Sequence, residues 1–224
     1  MHALRHRDRH FEHGLEARLI KARQETTRLY AFRLRERVGA ALRLDAEETG
    51  EILWYCPDPR AIIPIDTYMP AKSLKPFINQ KRFEIRVNTS FEQVMRNCAL
   101  PRSTEDETWI SEELVLAYTN LHKMGLAHSV EAWQEGKLVG GLYGVALGGA
   151  FFGESMFSLV SNSSKVAFHY LVQILREQNY SLLDSQFMND NVLRYGAIEI
   201  SRAEYKKRLT KALKSTCDFQ KPTI

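Results

Sequence analysis

A chain of 224 residues, 44% hydrophobic and 26% charged, can bury a sizeable core in one large domain or two small ones. No apolar run reaches the roughly 18 residues of a membrane span and no secretory hydrophobic segment opens the chain, so a soluble, unexported protein is expected. The formal charge of +4 is no chain-wide nucleic-acid signature: residues 1–45 carry 11 Lys and Arg against 6 Asp and Glu, and residues 46–224 carry 20 against 21. Cys56, Cys98 and Cys217 are odd in number, far apart and without metal-ligand spacing, which makes the reducing cytoplasm the simplest compartment to expect.

In chain order, the first 45 residues stand apart. Four of the seven histidines (His2, His6, His10, His13) lie there, and without proline the stretch from Leu15 to Leu44 is read as helical or partly disordered. Short strands follow at 53–56 and 61–65 around the turn Pro57-Asp58-Pro59-Arg60. A helix near 72–79, a strand at 83–87 and a helix at 90–99, with Ser90 as N-cap and Gln93 completing a capping box, close a small α/β unit near residue 102. The basic cluster Lys72, Lys75, Lys81, Arg82 and Arg86 lies within it, either as a solvated face or as a phosphate contact.

The second half is more regular. A helix from Ser111 closes at Gly125; strands at 127–134 and 137–147 are joined by the hairpin signal Glu135-Gly136, and 150–158 is a third strand. A long helix over 163–179, a strand over 181–187, a helical turn at 189–195, a short strand at 197–200 and a closing helix over 201–213 complete an α+β order. The expected division is an atypical basic segment at 1–45, a small α/β domain at 46–105 and a larger domain at 106–224.

Two polar signatures interrupt apolar strands: Gly153-Glu154-Ser155-Met156-Phe157-Ser158 and Asp184-Ser185-Gln186-Phe187-Met188-Asn189. Asp184 and Gln186 are two apart, a spacing that puts both side chains on one face of a regular strand. Together with Trp54-Tyr55-Cys56-Pro57-Asp58-Pro59-Arg60-Ala61, Thr108-Trp109-Ile110, His128-Ser129-Val130-Glu131-Ala132-Trp133 and Gly140-Gly141-Leu142-Tyr143-Gly144-Val145, they occur in the order seen in the leucyl/phenylalanyl-tRNA–protein transferases, which the chain resembles over about residues 51–210.

That resemblance implies a C-terminal domain with the GCN5-related N-acetyltransferase (GNAT-like) fold beside a smaller N-terminal domain. It also implies a reaction, the passage of Leu or Phe from aminoacyl-tRNA to the α-amino group of proteins beginning with Arg or Lys, which marks them for degradation by the N-end rule. An aminoacyl ester is already activated, so no cofactor and no metal is expected, and the enzyme is expected to be a cytoplasmic monomer. By resemblance Asp184 and Gln186 form the catalytic pair, and Glu154 meets the cationic acceptor. Gln186 is better suited to orient the amine than to deprotonate it, because an amide oxygen is a poor base. The alternative for Glu154 is an ion-paired carboxylate shaping the strand end; for Asp184 and Gln186 it is a polar pair capping the turn at Asn189.

The resemblance places Phe151, Gly153, Met156, Leu183 and Leu142 in an apolar substrate pocket, with Asn189 beside them. By the same resemblance Trp109 is expected to stack near the terminal adenosine, and Lys72, Lys75, Lys81 and Arg82 to grip the tRNA. An aromatic-Gly-aromatic-Phe-Pro stretch usual in the family is replaced by Gly39-Ala40-Ala41-Leu42-Arg43-Leu44-Asp45, which predicts weaker presentation of the tRNA end. The competing readings are a coenzyme-A-dependent N-acetyltransferase, disfavoured because 159–165 holds no glycine for a pyrophosphate loop, and a tRNA-binding homologue of reduced activity.

Overall fold

Period-two alternation in the long central strands sends successive side chains to opposite sides of a sheet, and both sides are apolar enough to be covered by helices. The computed structural model describes residues 57–101, 108 and 110–219, together with the backbone of two strands at 43–46 and 52–55. Trp109 and the stretch 15–42 lie outside the described residues; Arg43 and Leu44, expected in the N-terminal helix, are in a strand instead.

Strands β1 (Arg43–Ala46) and β2 (Ile52–Tyr55) pair as an antiparallel ribbon. The strands β3 (Arg60–Ile62), β4 (Glu84–Val87), β5 (Ala127–Gln134), β6 (Lys137–Leu147), β7 (Ala150–Ser158), β8 (Leu182–Gln186) and β9 (Ile198–Ile200) form one seven-stranded sheet in the order β4-β5-β6-β7-β8-β3-β9. The boundary expected near residue 105 is therefore spanned by the sheet, since β3 and β4 precede it. β7 and β8 run parallel, joined by helix α4 (Ser163–Glu177), and the sheet's other pairings are antiparallel. The strands flanking the Pro57–Arg60 turn do not pair with each other; β2 belongs to the ribbon and β3 to the large sheet.

A short 3-10 turn at Lys72–Leu74 leads into α1 (Lys75–Asn79), because Pro76 fits the first turn of an α-helix and not its interior. The other helices are α2 (Phe91–Cys98), α3 (Glu112–Lys123), α5 (Asp190–Leu193) and α6 (Arg202–Ala212). On one face of the sheet α4 packs with Leu74, Phe83, Leu142, Phe151 and Leu183. On the other, α2, α3 and α6 place Met95, Tyr118, Tyr205 and Leu209 against Tyr143, Phe152 and Leu182. The start of α4 comes so near β6 that a Cβ on Gly140 would fall 2.1 Å from Ser163 Oγ, which fixes glycine there.

The Glu135-Gly136 hairpin has both residues in the left-handed region (φ 51° and 72°), as a two-residue type I′ turn requires. The strand expected over 61–65 ends at Ile62, because Pro64 has no N–H for a ladder. The Ser90 capping box does not form. Ser90 makes no side-chain cap; Glu131 of β5 reaches across and its Oε1 accepts from Thr89 N at 2.9 Å and Ser90 N at 2.8 Å, a charged acceptor at the positive end of α2.

Candidate active site

Two irregularities lie at the same level of the neighbouring strands β7 and β8. Between β6 and β7, Tyr143 pairs with Ser155 and Gly144 with Gly153, so Glu154 is an extra residue. Between β3 and β8, Ala61 pairs with Gln186 and Ile62 with Asp184, so Ser185 is extra. Such bulges re-aim side chains. On β7 the result is visible: Phe152 belongs to the α3/α6 layer, as does Tyr118, which hydrogen-bonds Glu154, whereas Met156 packs on the α4 layer. On β8 the simple same-face rule for Asp184 and Gln186 gives way to a bulge, and Gln186 ends the strand with φ 69°. The parallel register of β7 with β8 runs only to Phe152 opposite Asp184, and beyond that level the two strands are linked by the Gln186 side chain instead of the ladder.

Asp184 is fully buried and its carboxylate is consumed internally. Arg60, only 2% exposed, donates from Nε to Oδ1 at 3.0 Å and from Nη2 to Oδ2 at 2.7 Å, a fork-like, charge-assisted contact that offsets part of the charge. Tyr205 of α6 donates its hydroxyl to Oδ2 at 2.6 Å, and Gln186 N donates to Oδ1 at 2.9 Å. Asp184 thus fixes the backbone of Gln186 and ties β8 to β3 and α6.

Gln186 uses its amide nitrogen twice, donating to Gly153 O and to Glu154 Oε2, each at 3.2 Å. Its Oε1 has no donor among the described residues and is left to accept from something else. Glu154 is half-buried. Burial pushes its carboxyl up to about 7, the negative charge of Asp184 adds to that rise, and hydrogen bonds from Gln186 and Tyr118 with the charge of Arg60 oppose it. The site therefore pairs one locked carboxylate with one that titrates near neutrality.

The apolar residues expected in the pocket lie on the α4 layer, whereas Tyr205 and Tyr118, the partners of Asp184 and Glu154, lie on the α3/α6 layer. Phe151, Leu183 and Leu142 are buried, and Leu142 lies opposite half-buried Met156 in register. Gly153 has room for a Cβ, whose nearest neighbour would be Asp184 O at 3.5 Å. Asn189 spends its side-chain oxygen as the N-cap of α5, accepting from Asn191 N at 3.0 Å and Val192 N at 3.1 Å. Lys72, Lys75, Lys81 and Arg82 are exposed on the segment that packs over the α4 layer, and the Arg82 guanidinium sits 4.6 Å above the Phe77 ring centre.

Several contributors escaped sequence reasoning. Arg60 lay in what read as a turn, although a cation directly before Ala61-Ile62-Ile63 was a usable signal. Tyr205 carries no signal of its own within the closing helix expected over 201–213. Tyr195 donates to Met156 Sδ at 3.8 Å and stacks on Phe168 with ring centres 4.0 Å apart, adding an aromatic wall to the apolar side. Two clefts elsewhere, of about 450 Å³ around Phe91, Arg96 and His122 and about 420 Å³ around His128, Tyr180 and Phe219, include none of these site residues. Among the described residues no group of three or more His, Cys, Asp or Glu side chains is arranged to hold a metal ion.

A family model described as leucyl/phenylalanyl-tRNA protein transferase matches residues 62–210, a span that contains Glu154, Asp184 and Gln186. The chain is 54% identical over 164 residues to a leucyl/phenylalanyl-tRNA–protein transferase of Chlorobaculum parvum, covering 73% of this chain and 84% of that one. It is 51% identical over 176 residues to a protein of the same name from Gloeobacter violaceus, covering 78% and 89%. Among solved structures, L-PGS from Bacillus licheniformis overlays 59% of this chain and 46% of its own at a TM-score of 0.41 and 16% identity, too loose a likeness to argue from. The chain belongs to the leucyl/phenylalanyl-tRNA–protein transferase family.

Proposed function

We propose that the protein moves Leu or Phe from aminoacyl-tRNA to the α-amino group of proteins beginning with Arg or Lys, with the reaction held at Gln186. The observation that carries this reading is the orientation of the Gln186 amide: Gly153 O and Glu154 fix its nitrogen, leaving Oε1 to accept a hydrogen from an attacking amine. The neutral amine attacks the ester carbonyl, the C–N bond forms, the ester C–O bond breaks and the terminal ribose leaves as a hydroxyl, taking up the proton that the amine loses. Gln186 orients rather than deprotonates, since an amide oxygen is a poor base, and the gain comes from alignment.

Asp184 holds Gln186 in place with Arg60 and Tyr205, and its residual field favours the positive charge that develops on the amine. Glu154, when ionised, faces the acceptor's cationic side chain. The leucyl or phenylalanyl group fits the apolar side formed by Leu142, Phe151, Met156 and Leu183 with Gly153 at the strand end, and Asn189 shapes the turn beside it. Trp109 is assigned to the terminal adenosine, and Lys72, Lys75, Lys81 and Arg82 to tRNA phosphates. The GNAT-like reading of the fold is supported by the antiparallel run β5–β7, the α4 crossover and the parallel β8 that parts from β7. The site is then carried by the one sheet that β3 and β4 share with the strands of residues 106–224, in a cytoplasmic monomer feeding N-end rule degradation.

The test offers labelled Leu-tRNA and a peptide beginning with Arg, beside the same peptide with labelled acetyl-coenzyme A. Label entering the peptide from Leu-tRNA alone is expected. Transfer from acetyl-coenzyme A alone would replace the proposal with an N-acetyltransferase.

A further inference from the structure

We infer that the outward face of α6 binds the phosphate backbone of the aminoacyl-tRNA, at a surface separate from Lys72–Arg82. This rests on the reading of aminoacyl-tRNA as the donor. Arg202, Lys206, Lys207, Arg208, Lys211 and Lys214 hold six of the 20 cations of residues 46–224, while Glu204 is the single one of that region's 21 carboxylates among them. A stretch this lopsided in an otherwise acidic region is not average surface.

The helix geometry sorts these cations. Tyr205, Leu209 and Ala212 are buried, Lys207 and Lys211, four apart, fall on the opposite, exposed side, and Lys214 is exposed in the turn just past the helix end. Arg208 pairs with Glu204 at 2.8 Å and Arg202 with Asp58 at 3.7 Å, but Lys206, Lys207, Lys211 and Lys214 have no ion pair among the described residues. Lys207 and Lys211, four apart, repel each other, a cost to the helix that a bound polyanion removes.

The face is also held firmly with respect to the site. Tyr205 bonds Asp184 at 2.6 Å, and at the other end Gly149 N donates to Ala212 O at 2.7 Å. Lys207 and Lys211 are thus cations about 6 Å apart along a fixed axis. The α4 layer carries Lys72–Arg82 and the opposite layer carries α6, so the two basic surfaces lie on the two sides of the sheet whose strand ends hold Gln186. Of the two substrates, the acceptor protein presents a cation and does not fit this face, whereas the tRNA body carries one negative charge per nucleotide and does.

The experiment compares wild type with the triple variant Lys207→Gln, Lys211→Gln, Lys214→Gln. Direct tRNA binding is measured over a salt series, and transfer to an Arg-peptide is measured with Leu-tRNA and with 3′-leucyl-adenosine, which lacks the tRNA body. Expected are a KM for Leu-tRNA about tenfold higher at low salt and a log–log salt slope shallower by about 2, from roughly 0.7–0.9 per phosphate contact. The kcat at saturating Leu-tRNA and the rate with 3′-leucyl-adenosine should match wild type, and the corresponding triple Lys→Arg variant should restore binding. Unchanged KM and salt slope would overturn the inference, as would an equal loss with 3′-leucyl-adenosine, or a raised KM for peptide alone, which would assign the face to protein. Wild type that neither binds tRNA nor transfers from it would instead sink the functional reading on which the inference stands.

Discussion

Two fully buried carboxylates occupy the two halves of the sheet, Asp184 on β8 and Glu131 on β5, and each is saturated with donors. Glu131 accepts from Thr89 N, Ser90 N, Thr89 Oγ1, Ser129 Oγ at 2.8 Å and Trp133 Nε1 at 3.0 Å, all uncharged and all closing the junction of β4, α2 and β5. Asp184 accepts from a buried guanidinium, a phenol and one backbone N–H, and that N–H belongs to Gln186, whose own amide oxygen has no donor among the described residues. Burial and charge are common to both. What differs is the neighbour: Glu131 finishes a structural joint, and Asp184 holds in place a group that still has something to bind.

Mutations can break that comparison in order of size. Arg60→Met strands the Asp184 charge in the core and should cost about 3–5 kcal/mol in a denaturant titration, with transfer falling as well; a variant as stable as wild type would show that the lock is not energetic. Glu131→Ala leaves the Thr89, Ser90 and Trp133 donors without their acceptor and should cost about 1–3 kcal/mol. Its folded fraction should keep a wild-type kcat, and a selective loss of turnover would move Glu131 from joint to site. Tyr205→Phe removes one bond to a charged acceptor and should cost about 1.5 kcal/mol, with kcat lowered a few-fold because Gln186 is held less firmly.

The smallest effect is one of pH. With the Glu154 carboxyl raised to about 7, the KM for an Arg-peptide should fall as pH rises through that value, and Glu154→Gln should abolish that limb. The sign for stability is opposite. The folded state holds this proton more tightly than the unfolded chain, so the contribution is complete below the ordinary carboxylate range and is lost as pH rises through about 7. Glu154→Gln should flatten stability across that window, and a slope equal to wild type would mean that another group titrates there.

The sequence made much of this legible, and the failures have physical causes. The β5–β7 run, the Glu135-Gly136 hairpin and α4 follow from periodicity, and Glu154, Asp184 and Gln186 stood out as polar residues in apolar strands. Their arrangement did not. A bulge adds one residue without a composition signal, so the re-aiming at Glu154 and Ser185 was invisible, and Gln186 takes a left-handed φ with no glycine or asparagine to announce it. Arg60 finds its partner 124 positions away, a separation that no local pattern encodes. Ser90 illustrates the reverse case: a local capping signal was present, and the long-range carboxylate of Glu131 took its place.

The central claim is that Gln186, placed by Asp184 and turned by Gly153 and Glu154, aligns the attacking amine. Its most direct test is kcat for Leu transfer to an Arg-peptide by Gln186→Ala at saturating substrates, measured beside the melting temperature. A kcat about 100-fold lower is expected, the scale of a lost alignment, with melting lowered by no more than a few degrees. Turnover equal to wild type would contradict it.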